Sequence, residues 1–237
     1  MRIFISGEDE RFRCLRDELG EHELVSDAVE AQITITKWPT QCDVHNGAAL
    51  VTCGPGNGPD GSTDLLLDEE YQRDIAWMTA EGALSAAMNA GGTAICGAEC
   101  MVVGWGRIGR ALTERLAALG GRVTVLSRRR EAFEEISSCG AKAALTADAC
   151  KEVQGKKYIF STPPVMTLDE RVLSMADDDV LMIDLASPPY GVDMDTARRL
   201  GLRAWREPGL PGRYCPVNAA RAIYDALLRH GILEGGR

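Results

Sequence analysis

The stretch Gly104-Trp105-Gly106-Arg107-Ile108-Gly109 decides the fold of this chain. An apolar run at 99–103 predicts a strand before it, and residues 111–119 predict a helix that leads to a second apolar run at 122–126. Glycines with this spacing at a strand-to-helix turn are typical of a dinucleotide-binding βαβ unit. They permit a tight turn, close approach of the backbone to a pyrophosphate, and close packing of helix on strand. We therefore predict that this stretch forms a dinucleotide site.

The second strand of this unit ends in Ser127-Arg128-Arg129-Arg130. In NAD sites, an acidic residue about 20 residues beyond the motif binds the ribose 2′-hydroxyl. A serine hydroxyl and guanidinium groups instead suit a 2′-phosphate, which they bind through charge-assisted hydrogen bonds. Cations at a helix start are otherwise disfavoured by the helix dipole. The sequence thus favours NADP, with Ser127, Arg128 and Arg129 as phosphate-binding residues.

Two later strands, predicted near 158–160 and 180–183, are each followed by a turn that contains two consecutive prolines. Open α/β sheets bind ligands outside the carboxyl ends of their strands, so both turns should lie near the nicotinamide half of the cofactor. The prolines also end the strands, which does not conflict with this role. The predicted cofactor contacts here are Ser161, Thr162, Pro163, Asp184 and Ala186.

The first third of the chain, residues 1–78, alternates short apolar runs with helical or loop segments, a pattern typical of a small parallel α/β layer. Within it, the glycine- and proline-rich stretch 53–62 predicts a loop. Leu65-Leu66-Leu67 is compatible with a short buried strand, although such a short run does not separate strand from helix.

Two helices define the predicted domain organisation. One, from Thr79 to Asn89, joins the domains, and the other, at 217–230, folds back onto the first domain. The predicted domains are therefore 1–78, completed by 217–230, and 79–216. The fold class is α/β, with two Rossmann-like doubly wound domains, the N-terminal one small and shortened, and a cleft between them.

Charge and composition exclude several classes of partner. A net charge of -9 and a pI near 4.9 disfavour nucleic acid and anionic membrane surfaces. No apolar run approaches the ~20 residues of a membrane span, and the N-terminal residues resemble a strand rather than a leader, so we expect a cytoplasmic protein. The eight cysteines are scattered without a C-x-x-C pair, which predicts reduced thiols and no metal site.

Several segments in the same order carry a resemblance to a known family. They are Thr79-Ala80-Glu81-Gly82-Ala83-Leu84, the Gly104 stretch, Ile183-Asp184-Leu185-Ala186-Ser187-Pro188-Pro189, Gly191-Val192-Asp193 and Pro208-Gly209-Leu210-Pro211-Gly212. With these segments, the chain from Thr79 onward resembles the family of the A-type subunit of dipicolinate synthase. The Asp-Leu-Ala-Ser-Pro and Pro-Gly-Leu-Pro-Gly segments are the more restrictive part of the match.

The resemblance implies oxidation of dihydrodipicolinate to dipicolinate with NADP during bacterial spore formation. It also implies two Rossmann-like domains separated by a cleft, and a second, flavoprotein-like subunit. The N-terminal region is shortened relative to the family. A second departure is that a lysine of the family is replaced by Val217 in Cys215-Pro216-Val217-Asn218-Ala219-Ala220. Arg213 is the candidate that supplies the lost positive charge.

A cyclic dicarboxylate substrate requires groups that neutralise its carboxylates and orient its ring. The candidate substrate contacts are Arg11, Thr162, Ser187 and Arg213, and Arg213 is also a catalytic candidate. Glu81, at the start of the joining helix, is a candidate proton acceptor, with a capping or surface role as its alternative. A homo-oligomer remains open.

Two other functions remain open: an NADP-dependent dehydrogenase of another type, such as one acting on a hydroxy acid, and a non-catalytic NADP-binding subunit. Oxidation of a hydroxyl usually uses a histidine base. His22, His45 and His230 do not follow the strands expected near the nicotinamide, which argues against the hydroxy-acid type. The shortened first domain and the missing lysine motivate the non-catalytic alternative.

Overall fold

A computed structural model describes residues 1–40, 42 and 47–234. Its strands are β1 (Arg2–Ser6), β2 (Glu23–Leu24), β3 (Ile33–Trp38), β4 (Ala49–Pro55), β5 (Thr63–Asp64), β6 (Glu99–Val103), β7 (Arg122–Ser127), β8 (Lys142–Leu145), β9 (Tyr158–Ser161), β10 (Leu181–Asp184) and β11 (Arg203–Arg206). Its α-helices are α1 (Glu10–Glu18), α2 (Glu69–Gly91), α3 (Arg107–Ala118), α4 (Phe133–Ser138), α5 (Ala149–Glu152), α6 (Glu170–Leu173), α7 (Met194–Arg199), α8 (Leu210–Tyr214) and α9 (Pro216–Arg229).

The chain divides into two compact units. Unit 1 comprises residues 1–78 together with the chain from Gly209 onward, and unit 2 comprises Thr79–Pro208. The division therefore groups residues 209–216 with the N-terminal unit, whereas the sequence interpretation placed them in the second domain.

Unit 2 is built on a parallel sheet whose strand order is β11-β10-β9-β6-β7-β8. This is the order of a doubly wound dinucleotide-binding fold, in which the chain reverses its direction of winding between the first and fourth strands. In unit 2 those strands are β6 and β9. All residues of β9 and β10 are buried, as expected for a parallel sheet covered on both faces.

Unit 1 has a second parallel sheet, with strand order β2-β1-β3-β4-β5. Its direction of winding reverses between β1 and β3, which is the other common doubly wound arrangement. Phe12 and Leu15 of α1 share a buried core with Ile223 and Leu227 of α9. This core forms because α9 has one continuous apolar face. Val217, which the sequence analysis counted in that face, is 60% exposed in the first turn of the helix.

The structure settles one alternative that the sequence left open and corrects one prediction. Leu65-Leu66-Leu67 forms a 3-10 turn rather than a strand, because the Asp64 carboxylate accepts a hydrogen bond from the Leu66 N–H and bends the chain there. The joining helix α2 begins at Glu69 rather than at Thr79. The Asp68 carboxylate starts it by accepting the Tyr71 N–H at 2.8 Å. No helix in the described ranges is long and apolar enough to cross a membrane.

Candidate functional site

A pocket of about 470 Å³ lies in unit 2 at the carboxyl ends of β6, β7 and β9. It lies where the sheet reverses its direction of winding, the usual place for a ligand in an open α/β sheet. Its lining residues come from the glycine stretch, the end of β7, and the turns after β8 and β9. They are Val103, Gly104, Trp105, Gly106, Leu126, Ser127, Arg128, Arg129, Thr146, Thr162, Pro163, Pro164, Val165, Met166 and Thr167.

The three glycines of the stretch have different physical roles. A Cβ at Gly104, whose φ is +98°, would lie 2.5 Å from the Thr162 hydroxyl. A Cβ at Gly109 would approach Gly104 O far too closely, so a side chain at either position conflicts with the fold. At Gly106, a Cβ would meet no protein atom within 4 Å. Gly106 therefore keeps space open at the N-terminus of α3, where free backbone N–H groups favour an anion.

Trp105, inside the glycine stretch, is anchored to α4. Its indole Nε1 donates a hydrogen bond to Glu135 Oε2 at 3.0 Å. Arg110 forms an ion pair with the same carboxylate, and its guanidinium lies 5.4 Å from the Trp105 ring centroid. These contacts fix the loop, while Arg107 and Arg110 remain exposed on α3. Arg107, Ile108 and Gly109 are not among the residues that line the pocket, so what these positions offer a ligand is the backbone N–H groups at the start of α3.

The end of β7 presents positive charge to the pocket. Arg128 and Arg129 are exposed, and both line the pocket. The Ser127 hydroxyl, predicted to bind a ligand phosphate, instead accepts the Arg129 N–H and donates to the Arg129 carbonyl, each at 3.1 Å. Ser127 therefore shapes the turn that presents the two arginines. No carboxylate occupies positions 127–130.

Thr162 connects β9 to the glycine stretch. Its hydroxyl donates to the Val103 carbonyl at 2.8 Å, and its backbone N–H donates to the same carbonyl at 3.1 Å. Ser161, one residue earlier, is fully buried and does not line the pocket. Thr162 and Pro163 are thus placed at the pocket as predicted, whereas Ser161 lies beneath its wall.

Asp184, at the end of β10, organises the turn that follows. Its buried carboxylate accepts backbone N–H groups from Ala186, Gly191 and Val192 at 3.1–3.2 Å. Neither Asp184 nor Ala186 lines the pocket, and Ser187 lies exposed in the turn. The contacts of Asp184 are structural, and they fix the position of Ser187.

We expect Asp184→Ala to lower the free energy of unfolding by about 3 kcal/mol, because it leaves three N–H groups, two of them buried, without their acceptor. Denaturant unfolding followed by tryptophan fluorescence measures the effect. Asp195→Ala is the matched control, since that carboxylate is 93% exposed and pairs with Arg198, which is 79% exposed. A loss below about 1 kcal/mol in Asp184→Ala would rule out this structural role.

Glu81 is not among the residues that line the pocket. Its carboxylate is 55% exposed and accepts hydrogen bonds from Arg115 Nη2 at 3.0 Å and Nε at 3.2 Å. The structure therefore favours the surface role that the sequence offered as the alternative to proton transfer.

Arg11 and the segment before Arg213 lie together in unit 1. The Arg11 side chain is 13% exposed, and its Nε donates to Asp9 Oδ2 at 3.1 Å. A Cβ added at Gly212 would lie 3.7 Å from Asp9 and 3.8 Å from Arg11, so α8 packs against this pair. Arg213 itself is exposed, and its guanidinium lies 5.6 Å from the Tyr214 ring.

The α-helix that follows β1 begins differently from the one that follows β6. In unit 1 the Asp9 carboxylate caps α1 by accepting the Phe12 N–H at 3.3 Å. An acidic side chain thus takes the position that the glycine stretch leaves open in unit 2, which opposes binding of a pyrophosphate at α1. Unit 2 is therefore the unit whose helix start suits a dinucleotide.

Sequence reasoning missed Lys37, Thr146 and Glu135. Lys37 lies near the carboxyl end of β3. The rule that ligands of open α/β sheets bind outside the carboxyl ends of the strands could therefore have found it. Thr146 follows β8, a strand that the sequence analysis did not identify. Glu135 contacts Trp105 across 30 positions in sequence, and no local signal indicates that contact.

Comparison with known proteins agrees with this geometry. A family model, the TrkA-N domain, matches residues 100–154, which hold most of β6, the glycine stretch, β7 and β8. The A-type subunit of dipicolinate synthase from Bacillus subtilis (strain 168) is 32% identical over 149 residues, which are 63% of this chain and 50% of that relative. The chain thus matches half the length of the relative. The predicted resemblance to this subunit of dipicolinate synthase is confirmed.

Solved structures confirm the predicted fold class. The A-type subunit of dipicolinate synthase from Bacillus halodurans has a TM-score of 0.82 at 21% identity, with 97% of each chain covered. A transhydrogenase from Sinorhizobium meliloti has a TM-score of 0.74 at 14% identity, with 97% of this chain and 94% of that chain covered. At these identities the likeness shows the fold alone. The chain has two parallel-sheet, Rossmann-like α/β domains.

Proposed function

We propose that this chain is an NADP-dependent oxidoreductase that converts dihydrodipicolinate to dipicolinate in sporulating bacteria, together with a second, flavoprotein-like subunit. One observation carries the proposal: the pocket of unit 2 combines an open glycine turn at Gly106 with Arg128 and Arg129 at the end of β7. The 149-residue similarity to a dipicolinate synthase of Bacillus subtilis supports the choice of substrate.

The residues of the pocket fit a phosphorylated dinucleotide. The N–H groups at the start of α3 suit the pyrophosphate, and Gly106 leaves room for it. Arg128 and Arg129 suit a 2′-phosphate, and positions 127–130 hold no carboxylate to repel it. Thr162 and Pro163 suit the nicotinamide end. When bound, NADP supplies the hydride acceptor.

The proposed reaction requires little acid–base catalysis by the protein. Dihydrodipicolinate becomes an aromatic pyridine when it loses a hydride and a proton, and aromaticity supplies much of the driving force. The protein then has to neutralise two carboxylates and orient the ring. The candidates for this task remain Thr162 and Ser187 in unit 2 and Arg11 and Arg213 in unit 1.

The proposal is tested by following NADPH formation from freshly made dihydrodipicolinate, with NAD in place of NADP as the cofactor control. We expect protein-dependent turnover with NADP and much less with NAD. NADP binding without turnover would instead indicate a non-catalytic subunit. Turnover of a hydroxy acid but not of dihydrodipicolinate would indicate the other type of dehydrogenase.

We also expect that no histidine serves as a general base. His22 and His230 lie in unit 1, where His230 Nε2 lies 3.0 Å from Asp68, and His45 lies outside the described residues. Replacing each histidine with alanine should leave kcat within about tenfold, whereas loss of a true general base costs ~10²–10⁴. A thousandfold fall in any variant that still folds and binds NADP would contradict this prediction and favour the hydroxy-acid alternative.

A further inference from the structure

Unit 1 has a charged cluster where its own sheet reverses its direction of winding. Asp9 and Arg11 follow β1, and Lys37 lies in the neighbouring strand β3. Asp9 Oδ2 lies 3.1 Å from Arg11 Nε and 2.5 Å from Lys37 Nζ. Ligands of open α/β sheets bind at this type of position, outside the carboxyl ends of the strands. In unit 1 the position is occupied by two cations that share one carboxylate.

The cluster carries an excess of positive charge in a half-buried place. The Arg11 side chain is 13% exposed and that of Lys37 is 42% exposed. Burial alone would raise the pKa of Asp9, but the hydrogen bond from Lys37 and the charge of Arg11 outweigh it and hold this pKa below its usual value. Asp9 is therefore ionised at neutral pH and cancels only one of the two positive charges.

The thiol and the phenol beside the cluster do not supply the missing negative charge. Burial raises the pKa of the Cys53 thiol to about 11, and it also raises the pKa of Tyr71, so both groups are neutral at pH 7. Asp64 is the other acid that acts on Cys53. Its carboxylate accepts the backbone N–H groups of Gly58 and Leu66 at 2.9 and 3.0 Å.

Arg11 has hydrogen-bond donors that are not used within the described residues. A guanidinium has five N–H donors, and within the described ranges only Nε of Arg11 donates a hydrogen bond. The guanidinium lies 5.0 Å from the Phe12 ring centroid, a cation–π contact that helps to hold it in place. A planar fork with unused donors beside an ammonium suits a carboxylate.

We propose that Arg11 and Lys37 form a carboxylate-binding site in which Asp9 competes with the ligand, and that this site binds one carboxylate of a planar dicarboxylate. The identity of that dicarboxylate rests on the proposed function. The contacts of Asp9 show that a single carboxylate reaches both cations. A planar carboxylate, rather than a tetrahedral phosphate, matches the group that already bridges the two cations.

The test is calorimetric titration of the full chain with dipicolinate and, separately, with inorganic phosphate. Lys37→Met keeps the length of the side chain and removes its charge, and Arg11→Lys keeps the charge and removes the fork. We expect each to weaken dipicolinate binding by about tenfold or more. Asp9→Asn retains an oxygen that can cap α1 and removes the competing charge, so we expect it to tighten binding by about threefold to tenfold. Arg13→Gln, on the exposed face of α1, is the control.

Lys37→Met and Arg11→Lys should weaken dipicolinate binding, whereas Asp9→Asn should tighten it. These opposite effects distinguish a ligand site from a structural cluster, because a structural cluster would not bind dipicolinate more tightly when Asp9 loses its charge. If turnover occurs, Lys37→Met should raise KM and leave kcat within about threefold. If dipicolinate binding responds to the variants in this way but the natural chain shows no turnover, the proposed reaction is wrong and the carboxylate-binding site still stands. Unchanged binding or KM in folded Lys37→Met, no dipicolinate binding by the natural chain, or preference for phosphate would overturn the site.

Discussion

Replacement of Gly106 with valine is expected to weaken NADP binding at least about 100-fold, equivalent to about 2.7 kcal/mol, with only a small fall in the melting temperature. The φ of −95° and ψ of −168° at Gly106 are extended values that valine adopts without strain. A Cβ there meets no protein atom within 4 Å. The side chain would instead fill the space in which the backbone approaches a pyrophosphate.

Two further variants serve as comparisons for Gly106→Val. Gly109→Ala places a Cβ against Gly104 O, so it should lower the melting temperature as well as weaken binding. Ala118→Val adds the same two methyl groups at the exposed far end of α3 and should change neither. Titration of each variant with NADP, beside a thermal melt, separates the cases. NADP binding by Gly106→Val at natural affinity would show that the pocket of unit 2 does not hold the pyrophosphate.

Local sequence signals predicted the parts of the fold that depend on neighbouring residues. β6 and β10 are short apolar runs bounded by turns, as strands of a buried parallel sheet should be. β8 (Lys142–Leu145) was missed because four residues with a lysine at one end give no distinct pattern. The start of α2 was missed because its first turns are polar, and tertiary packing overrides such weak propensity.

The same distinction between local pattern and three-dimensional contact applies to the candidate site. Gly106, Arg128 and Arg129 could be predicted because the motif and its spacing place them within one βαβ unit. The functions of Ser127 and Asp184 could not, because a polar side chain at a strand end serves a ligand or a backbone turn equally well. In this chain each makes its hydrogen bonds to nearby backbone groups. The sequence indicated residues that the structure brings together at the pocket, but not which polar groups remain available to a ligand.

The preference for NADP over NAD should depend on Arg128 and Arg129. We expect the double replacement by alanine to weaken NADP binding by about 1.5–3 kcal/mol for each charged hydrogen bond lost, and to leave NAD binding within about threefold. The two arginines are exposed beside the pocket, so added salt should also reduce the difference between the two cofactors.

Direct titration with both cofactors measures these effects. Replacing Arg171 and Arg198 with alanine is the matched control, because it removes the same charge from exposed positions on α6 and α7. If that control weakened NADP binding as much as the replacement of Arg128 and Arg129 does, the effect would come from net charge rather than from contact with a phosphate. Equal or tighter binding of NAD by the natural chain would overturn the preference itself. The positive end of β7 would then be a solvated helix start, and the carboxylate that NAD sites use would have to come from elsewhere in the chain.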